Sequence, residues 1–508
     1  MDAINTLTGL AGQEVPVADL VQLNKALRNN MAKAASQVGT ITQGAAFAGS
    51  SGSELAPLVP QSIQSTLDSA TFTEQAIVFW RNLMRTNVTS TLHESAVVKN
   101  YGSMGMDPWL AEGGGGTNSH GDYERKIVKI KFLAERREIT DVATMVGTVG
   151  YQGVARQALA QQTTDGTRAL LAKMERSLFN ADSVLSDLAY DGLYKQLIGS
   201  SYNNGSGGNC DVTPTTTTNY TDKRGAAVSP QDIIDILYSV FAEPNFGMVN
   251  KIYCDPKVFG SLVQQATAYG RFDSMDSGAS SLVFGANGLN IVGPAGTVPI
   301  VACPLMSEAE SPISADQGTA PSFAVATGGQ APTEGTANAT TTSWTAAEAG
   351  TYLYKFVAVS DSGAQLLDNS GNGHSITKTA TIANCPVFEF VDSTATATTG
   401  IRYYRAYRTA AGGAASTAKY IGSFPVNGEG SGTNTKWVDN NSRLPGSGRM
   451  FFLQQTPDVM YWAQLLDFMR RPLAQVNTTI PFLLMLFGSL HVKVPTKNWV
   501  LDNVGSTL

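Results

Sequence analysis

The chain has 508 residues, a net charge of −6, and charged side chains at only 15% of positions, against about 25% in an average globular protein. That length supplies roughly three domains with cores large enough to need no metal or disulfide staple. The acidic balance excludes a basic nucleic-acid footprint, and a charge-poor surface can be buried against neighbours at low desolvation cost.

The opening "MDAINTLTGLAGQEVPVADL" has no basic segment followed by an apolar one, so no signal peptide is expected. No apolar run is long enough to cross a membrane as a helix. Cys210, Cys254, Cys303 and Cys385 form no CxxC pair, which points to a reducing compartment and to neither zinc nor a redox motif.

Residues 16–34 read as a helix with Leu20, Leu23, Leu27 and Met31 on one face, followed by a Gly/Ala/Ser-rich extended arm over 39–57. A second amphipathic helix is expected over about 73–85, carrying Phe79, Trp80 and Leu83. Residues 91–140 read as a long hairpin. Its return arm "YERKIVKIKFLAERREI" places Val128, Ile130 and Phe132 on one face and Arg125, Ile127, Lys129 and Lys131 on the other. The tip "MGMDPWLAEGGGGTNSHGD" is too long for a tight turn, and a loop of that length is functional or disordered. A long helix is expected over 152–180, burying Leu170, Leu171, Met174 and Leu178.

From 229 the pattern changes to helix–strand alternation. "SPQDIIDILYSVF" starts with Ser229 as N-cap, Pro230 in the first turn and acidic Asp232. "MVNKIYC", "DPKVFGSLVQQATAYG", "GLNIVG" and "GTVPIVAC" continue an α/β unit. Residues 306–446 break the rhythm, with about seven short strands, near 322–326, 351–359, 376–382, 386–391, 401–408, 418–424 and 435–438, between turn signals, the pattern of a β-sandwich. In "GTYLYKFVAVSDSGAQ", Tyr352, Tyr354, Phe356 and Ala358 share one face. This stretch resembles an immunoglobulin-like or fibronectin type III-like module, spliced into a loop of the α/β host, whose strand ends where the module begins. Strand-like segments at 449–454 and 480–494 then close the chain against the strand at 298–304.

Catalytic patterns are missing. His93, His120, His374 and His491 stand in no paired spacing, and no GxSxG, Walker or dinucleotide fingerprint occurs. "AEGGGGTNSHGD" lacks the lysine and following helix of a phosphate loop. No enzyme activity, cofactor or metal is therefore expected. Glu135 and Glu138 flank Arg136 and Arg137, which reads as a salt-bridged face, and Lys126, Lys129 and Lys131 could meet acidic groups on another subunit.

The order of parts, with "LVPQSIQSTLDSATFTEQAIVFWRNL", "DGLYKQL", "GTVPIVAC" and "FGSLHVKVPTKNWVLDNVG" in sequence, resembles the major capsid proteins of tailed bacteriophages, the Hong Kong 97-like fold. The resemblance covers about 55–305 and 447–508. It implies an α+β chain with an N-terminal arm at 1–75 and a peripheral domain at 76–225. That domain would hold an extended loop at about 91–140 and a spine helix at about 152–180. An axial domain would follow at 226–305 and 447–508, with the immunoglobulin-like sandwich 306–446 inserted and displayed on the particle exterior.

The implied function is a shell of pentamers and hexamers enclosing double-stranded DNA, with portal, scaffolding and cement proteins as partners. It places the protein in the virion and, during assembly, in the host cytoplasm. Implied assembly contacts are Lys126, Lys129, Lys131, Glu135, Arg136 and Arg137 on the arm and Gly113, Gly114, Gly115 and Gly116 at its tip. The start at Met1 predicts no removed scaffold segment, and no cross-linking motif matches Asn498 or Asn503. Two alternatives stay open: an encapsulin-like compartment, and a carbohydrate-binding adhesin or enzyme in which 306–446 contacts a host-surface glycan. An inserted module of this kind predicts that its removal leaves the rest intact.

Overall fold

A computed structural model describes residues 74–102, 109, 112–114, 118–142, 158–198, 201–203, 209–213, 219–269, 289–308, 311–312, 317–318, 333–335, 343–360, 363–367, 373–381, 385–390, 401–426, 435–475 and 477–505. It also describes the strands Thr6–Thr8 and Glu14–Pro16, which pair antiparallel. The chain divides into two units, residues 1–67 and 68–508, and all other described elements lie in the second. Most of the expected helix at 16–34, the arm at 39–57 and the strand expected near 322–326 lie outside the described residues.

The second unit is α+β. A six-stranded sheet runs in the order Leu289–Gly293, Gly296–Ala302, Lys251–Cys254, Gly448–Leu453, Trp499–Val504, Tyr220–Asp222. Gly448–Leu453 is buried along its whole length, as a strand covered on both faces must be. Helices Pro230–Phe241 and Pro256–Tyr269 lay Ile233, Leu237, Val240 and Val258 over Ile252, Val298, Ile300 and Phe452 on one face. The first of them starts as expected. Ser229 Oγ accepts from the Asp232 amide at 3.3 Å, and Asp232 Oδ2 accepts from the Ser229 amide at 2.9 Å. This capping box satisfies two donors that a helix start leaves orphaned.

Tyr253, Phe451, Leu453 and Val500 join a second core with Met174, Leu178 and Phe179 of the long helix Ala158–Asn180. A four-stranded sheet closes that core, in the order Arg85–Asn87, Met460–Pro472, Thr479–Val492, Lys131–Thr140. Its Trp462, Phe482, Leu484 and Leu490 are fully buried. The closing strands expected against 298–304 do not pair with it: Lys251–Cys254 lies between Gly296–Ala302 and Gly448–Leu453, and Thr479–Val492 belongs to the other sheet. Trp499–Val504 joins the six-stranded sheet, while Met460–Pro472 and Thr479–Val492 pair with Lys131–Thr140. Met460–Pro472 is a strand that no alternation in "MYWAQLLDFMRRP" announces, because its first half is buried on both sides.

The helix expected over 73–85 is two fragments, a 3-10 turn Glu74–Ala76 and a single helical turn Phe79–Asn82. The cause is Glu175 of the long helix. Its carboxylate accepts the amides of Val78 (3.1 Å), Phe79 (2.6 Å) and Trp80 (2.9 Å). At the other end, the Trp462 amide donates to Met84 O at 2.8 Å and draws the chain into the sheet. Phe79, Trp80 and Leu83 are buried, as the periodicity required.

Described strands between 317 and 438, with two from 201–213, form a two-layer sandwich. One sheet orders Gln317–Gly318, Gly363–Leu366, Gly350–Ser360, Ile401–Arg408 and Lys419–Pro425, with His374–Lys378 also pairing to Gly350–Ser360. Tyr354, Phe356, Tyr404 and Phe424 face Phe388 and Trp437 of the other sheet, with the Phe424 and Trp437 rings stacked at 5.1 Å. Burial of Tyr352, Tyr354, Phe356 and Ala358 matches the alternation. The second sheet, however, orders Thr333–Gly335, Cys385–Phe390, Thr435–Val438, Asn209–Thr213 and Ser201–Asn203. Two of its strands precede the supposed insertion by about a hundred residues.

The sandwich is also tied to the body by polar contacts. Arg224 donates to Asn441 O (2.8 Å) and Ser343 O (2.6 Å), and Asn503 Nδ2 donates to Ser442 O (2.7 Å). Asn441 and Asn503 hold left-handed backbone, a conformation Asn tolerates better than most residues.

A self-contained insertion at 306–446 is therefore corrected: the module shares strands and a polar seam with its host. Excising 306–446 alone should leave Asn209–Thr213 with an unpaired edge and give aggregated protein, because unpaired edges template association. Excising 201–213 as well should restore soluble protein. Size-exclusion profiles of the two deletions check this, and equal solubility would contradict it.

Candidate assembly surfaces

Leu92–Asn100 and Asp122–Lys129 pair only with each other, as a two-stranded antiparallel arm. Directly opposed residues share a face. Leu92, Glu94, Ala96 and Val98 thus lie with Tyr123, Arg125, Ile127 and Lys129, and His93, Ser95 and Val97 lie with Glu124, Lys126 and Val128. The first face is uncovered: Tyr123 is 70% exposed, Ile127 54%, and Leu92 and Val98 44% each. Tyr101, where the arm begins its tip, is 85% exposed. One ion pair, Arg125 to Glu94 at 3.3 Å, crosses this apolar face. A two-stranded ribbon with a bare apolar face is marginal in water and gains stability when that face is covered.

The opposite face is held by the body. Val88, Ile130, Tyr461 and Ala463 form a small core with Val128. At Ile130 the strand leaves the arm and, from Lys131, enters the four-stranded sheet. Parity flips at that crossing: Ile130 is buried, but Phe132 is exposed and Leu133 turns inward. The shared face expected for Val128, Ile130 and Phe132 therefore ends at Ile130. A change of partner sheet resets which side faces a core, and this is invisible in a period-2 pattern.

His93 and His491, 398 residues apart in sequence by their numbers, meet at the arm's root. His93 Nε2 and Tyr461 Oη are 2.6 Å apart, Ser95 Oγ and His491 Nε2 are 2.7 Å apart, and the two imidazoles lie 6.0 Å centre to centre. Lys493 stands over the Tyr461 ring at 4.8 Å. Burial first, then the charges of His93, Lys493 and Lys126, pull the His491 pKa from 6.5 down to about 4. The folded state thus holds this imidazole neutral while the unfolded chain protonates it below 6.5. Its stabilisation is complete above pH 6.5 and is lost as pH falls toward about 4. Hydrogen exchange of Leu92–Asn100 should accelerate over that window, and His491→Gln should flatten the response; an unchanged profile in that variant would contradict it.

Of the expected contact residues, Lys129 and Arg136 point outward, with Arg136 only 3.7 Å from the exposed Glu138. Glu135 accepts from Arg137 at 2.5 Å and from Lys173 of the long helix at 3.2 Å, so its charge and that of Arg137 are spent inside the chain. Lys131 Nζ donates to the Asp187 carbonyl, and Lys126 is half-buried near His491. Gly113 and Gly114 are exposed, Gly113 with φ +79°, while Gly115 and Gly116 lie outside the described residues.

A second apolar surface was not anticipated. Tyr238 and Phe241 on the outer side of Pro230–Phe241, Phe246 and Met248 in the turn after it, and Val292 on the edge strand are all exposed. The helix periodicity that places Ile233, Ile236, Leu237 and Val240 inward also puts Tyr238 and Phe241 outward, so the sequence held this signal. Among the described residues no group of His, Cys, Asp or Glu is arranged to hold a metal ion.

No family model matches the chain. Over a stretch of 68 residues it is 35% identical to the major capsid protein of Staphylococcus phage K, covering 13% of this chain and 15% of that protein. The putative major capsid protein of Enterococcus phage phiEF24C matches with the same identity, over the same length and shares. The match thus spans about a seventh of the length of these curated relatives.

Among solved structures, the capsid of a native GTA particle aligns at TM-score 0.46 and 10% identity, covering 91% of this chain and 100% of that one. The capsid of cyanophage P-SCSP1u aligns at TM-score 0.40 and 13% identity (90% and 96% covered). The holo-SrpI encapsulin complex of Synechococcus elongatus PCC 7942 aligns at 0.39 and 10% (89% and 95%). At these scores the structural likeness decides nothing by itself.

Proposed function

We propose that the chain is the major capsid protein of a tailed double-stranded DNA bacteriophage, of Hong Kong 97-like fold, assembling through pentamers and hexamers into a closed shell. The observation that carries this reading is the arm of Leu92–Asn100 and Asp122–Lys129, whose outer face leaves Leu92, Val98, Tyr123 and Ile127 bare beside one ion pair. In the proposed shell that face lies over a neighbouring subunit. The 68-residue similarity to phage major capsid proteins supports the same reading.

Each part then has a role. The long helix and four-stranded sheet form the peripheral domain, and the six-stranded sheet with its two helices forms the axial domain. The exposed Tyr238, Phe241, Phe246, Met248 and Val292 meet their counterparts around the ring centre. Apolar burial at about 25 cal/mol per Å² makes several modest contacts per subunit sufficient for a stable shell. A heterologous contact of this kind closes into rings when its rotation permits. The protein acts as a container and not as an enzyme, and its acidic balance keeps it from gripping packaged DNA.

Electron microscopy of purified protein is the test. Shells or rings support the reading, and a persistent monomer under all assembly conditions defeats it. Particles that enclose protein cargo in place of DNA would turn the reading toward an encapsulin-like compartment.

A further inference from the structure

Where the sandwich meets the end of the long helix there is a cavity of about 70 Å³. Its walls include Asn180, Lys195, Tyr420, Ser423, Arg443 and Arg449. A space of that size holds a small polyatomic ion or a few waters.

The charges around it do not cancel by contact. Arg449, 9% exposed, is paired: its Nε–H donates to Asp502 at 2.9 Å and its guanidinium covers the Tyr194 ring at 3.7 Å. Lys195 is paired with Asp182, which also lines the cavity, and with Asp191 at 3.2 Å. Arg443 is not. It is only 8% exposed, its Nε–H finds no acceptor, and among the described residues no carboxylate pairs with it. Its guanidinium lies over the face of Tyr420, 5.1 Å away. Burial first, then repulsion by Arg449, lowers its pKa, while Asp502, already paired with Arg449, attracts it without contact. A buried guanidinium with no carboxylate in contact and an unspent Nε–H is costly, and the cost is relieved by an anion that accepts its fork of N–H donors.

We propose that this cavity binds a small tetrahedral oxyanion of the inorganic phosphate class, held by Arg443, with the hydroxyls of Tyr420 and Ser423, which bond each other at 2.8 Å, in the same wall. Arg443 and Tyr420 belong to the sandwich side and Asn180 and Lys195 to the body, so the ion fastens the module to its host. This inference stands independently of the capsid reading, since it uses no intersubunit contact.

The test is thermal unfolding of the full chain, in the assembly state in which it purifies, with inorganic phosphate against chloride at matched ionic strength. Unfolding temperature should rise with the logarithm of phosphate concentration, as for a ligand that binds only the folded state. Arg443→Met should weaken apparent phosphate affinity by about tenfold or more, since it removes a charged donor from the ion. Arg443→Lys, which keeps the charge but not the fork, should fall between. Arg136→Gln, on the exposed edge strand of the four-stranded sheet, should respond like the parent.

Equilibrium dialysis of labelled phosphate against the unsubstituted protein reads binding directly, so a variant that fails to fold does not block the result. No phosphate-specific rise in the parent, or an equal rise in Arg443→Met, would overturn the proposal. So would a high-resolution map in phosphate buffer showing only water, chloride, or a side chain of a neighbouring copy beside Arg443.

Discussion

Replacing Val98, Tyr123 and Ile127 together by serine is expected to give a folded subunit that makes no particles. These side chains share the arm's outer face and are 44%, 70% and 54% exposed, so the isolated chain gains little from them. Exposed substitutions of this kind usually change folding stability by no more than about 0.5 kcal/mol. Between subunits the same side chains would each contribute about 1.5 kcal/mol or more on burial. Losing three of them weakens each arm contact by roughly a thousandfold, at about tenfold per 1.4 kcal/mol. Sedimentation velocity should find only small species, and thermal unfolding should match the parent subunit. Particles at the parental yield would sink the assembly role of this face. A collapse in subunit stability would mean that the arm folds against its own body.

Glu175→Ala is expected to have the largest effect on folding. The carboxylate is fully buried and accepts the amides of Val78, Phe79 and Trp80, with the Cys303 thiol at 3.3 Å. Alanine leaves the buried Phe79 and Trp80 amides and the half-buried Val78 amide unpaired, at about 1–3 kcal/mol for each buried donor. The sum, on the order of 5 kcal/mol, rivals the whole net stability of a typical domain. Glu175→Gln keeps one acceptor oxygen and should cost less.

The pH response of Glu175 distinguishes the two substitutions further. Burial is the largest influence on its pKa and raises it above 4.5, while the three amides and the thiol pull it back. A raised carboxyl contributes stability that is complete below pH 4.5 and declines as pH climbs through its folded pKa. The parent should therefore lose part of its advantage over Glu175→Gln as pH rises above 4.5. Urea unfolding of the three proteins across pH measures both effects, and an alanine variant as stable as the parent would show that the entry segment is pinned elsewhere.

The local pattern of residues 229–303 was sufficient to place their elements. Ser229, Pro230 and Asp232 start a helix because their chemistry satisfies its orphan amides, and apolar spacing sets which side is buried. Most strands from Gly350 to Val438 were legible because turn signals bound short β-branched and aromatic runs, but Gly363–Leu366, half-buried at every position, shows no alternation and was not expected. The arm was legible up to Ile130.

Tertiary structure decided the rest. The choice of partner sheet flips parity at Phe132, gives Met460–Pro472 a sheet that its own sequence does not signal, and draws 201–213 into the sandwich. It likewise brings His93 to His491 and leaves Arg443 beside a cavity with no carboxylate in contact. Periodicity records which side of a segment is dry, but not what dries it. Which distant segment supplies a partner, a charge or an acceptor is a property of the closed fold alone.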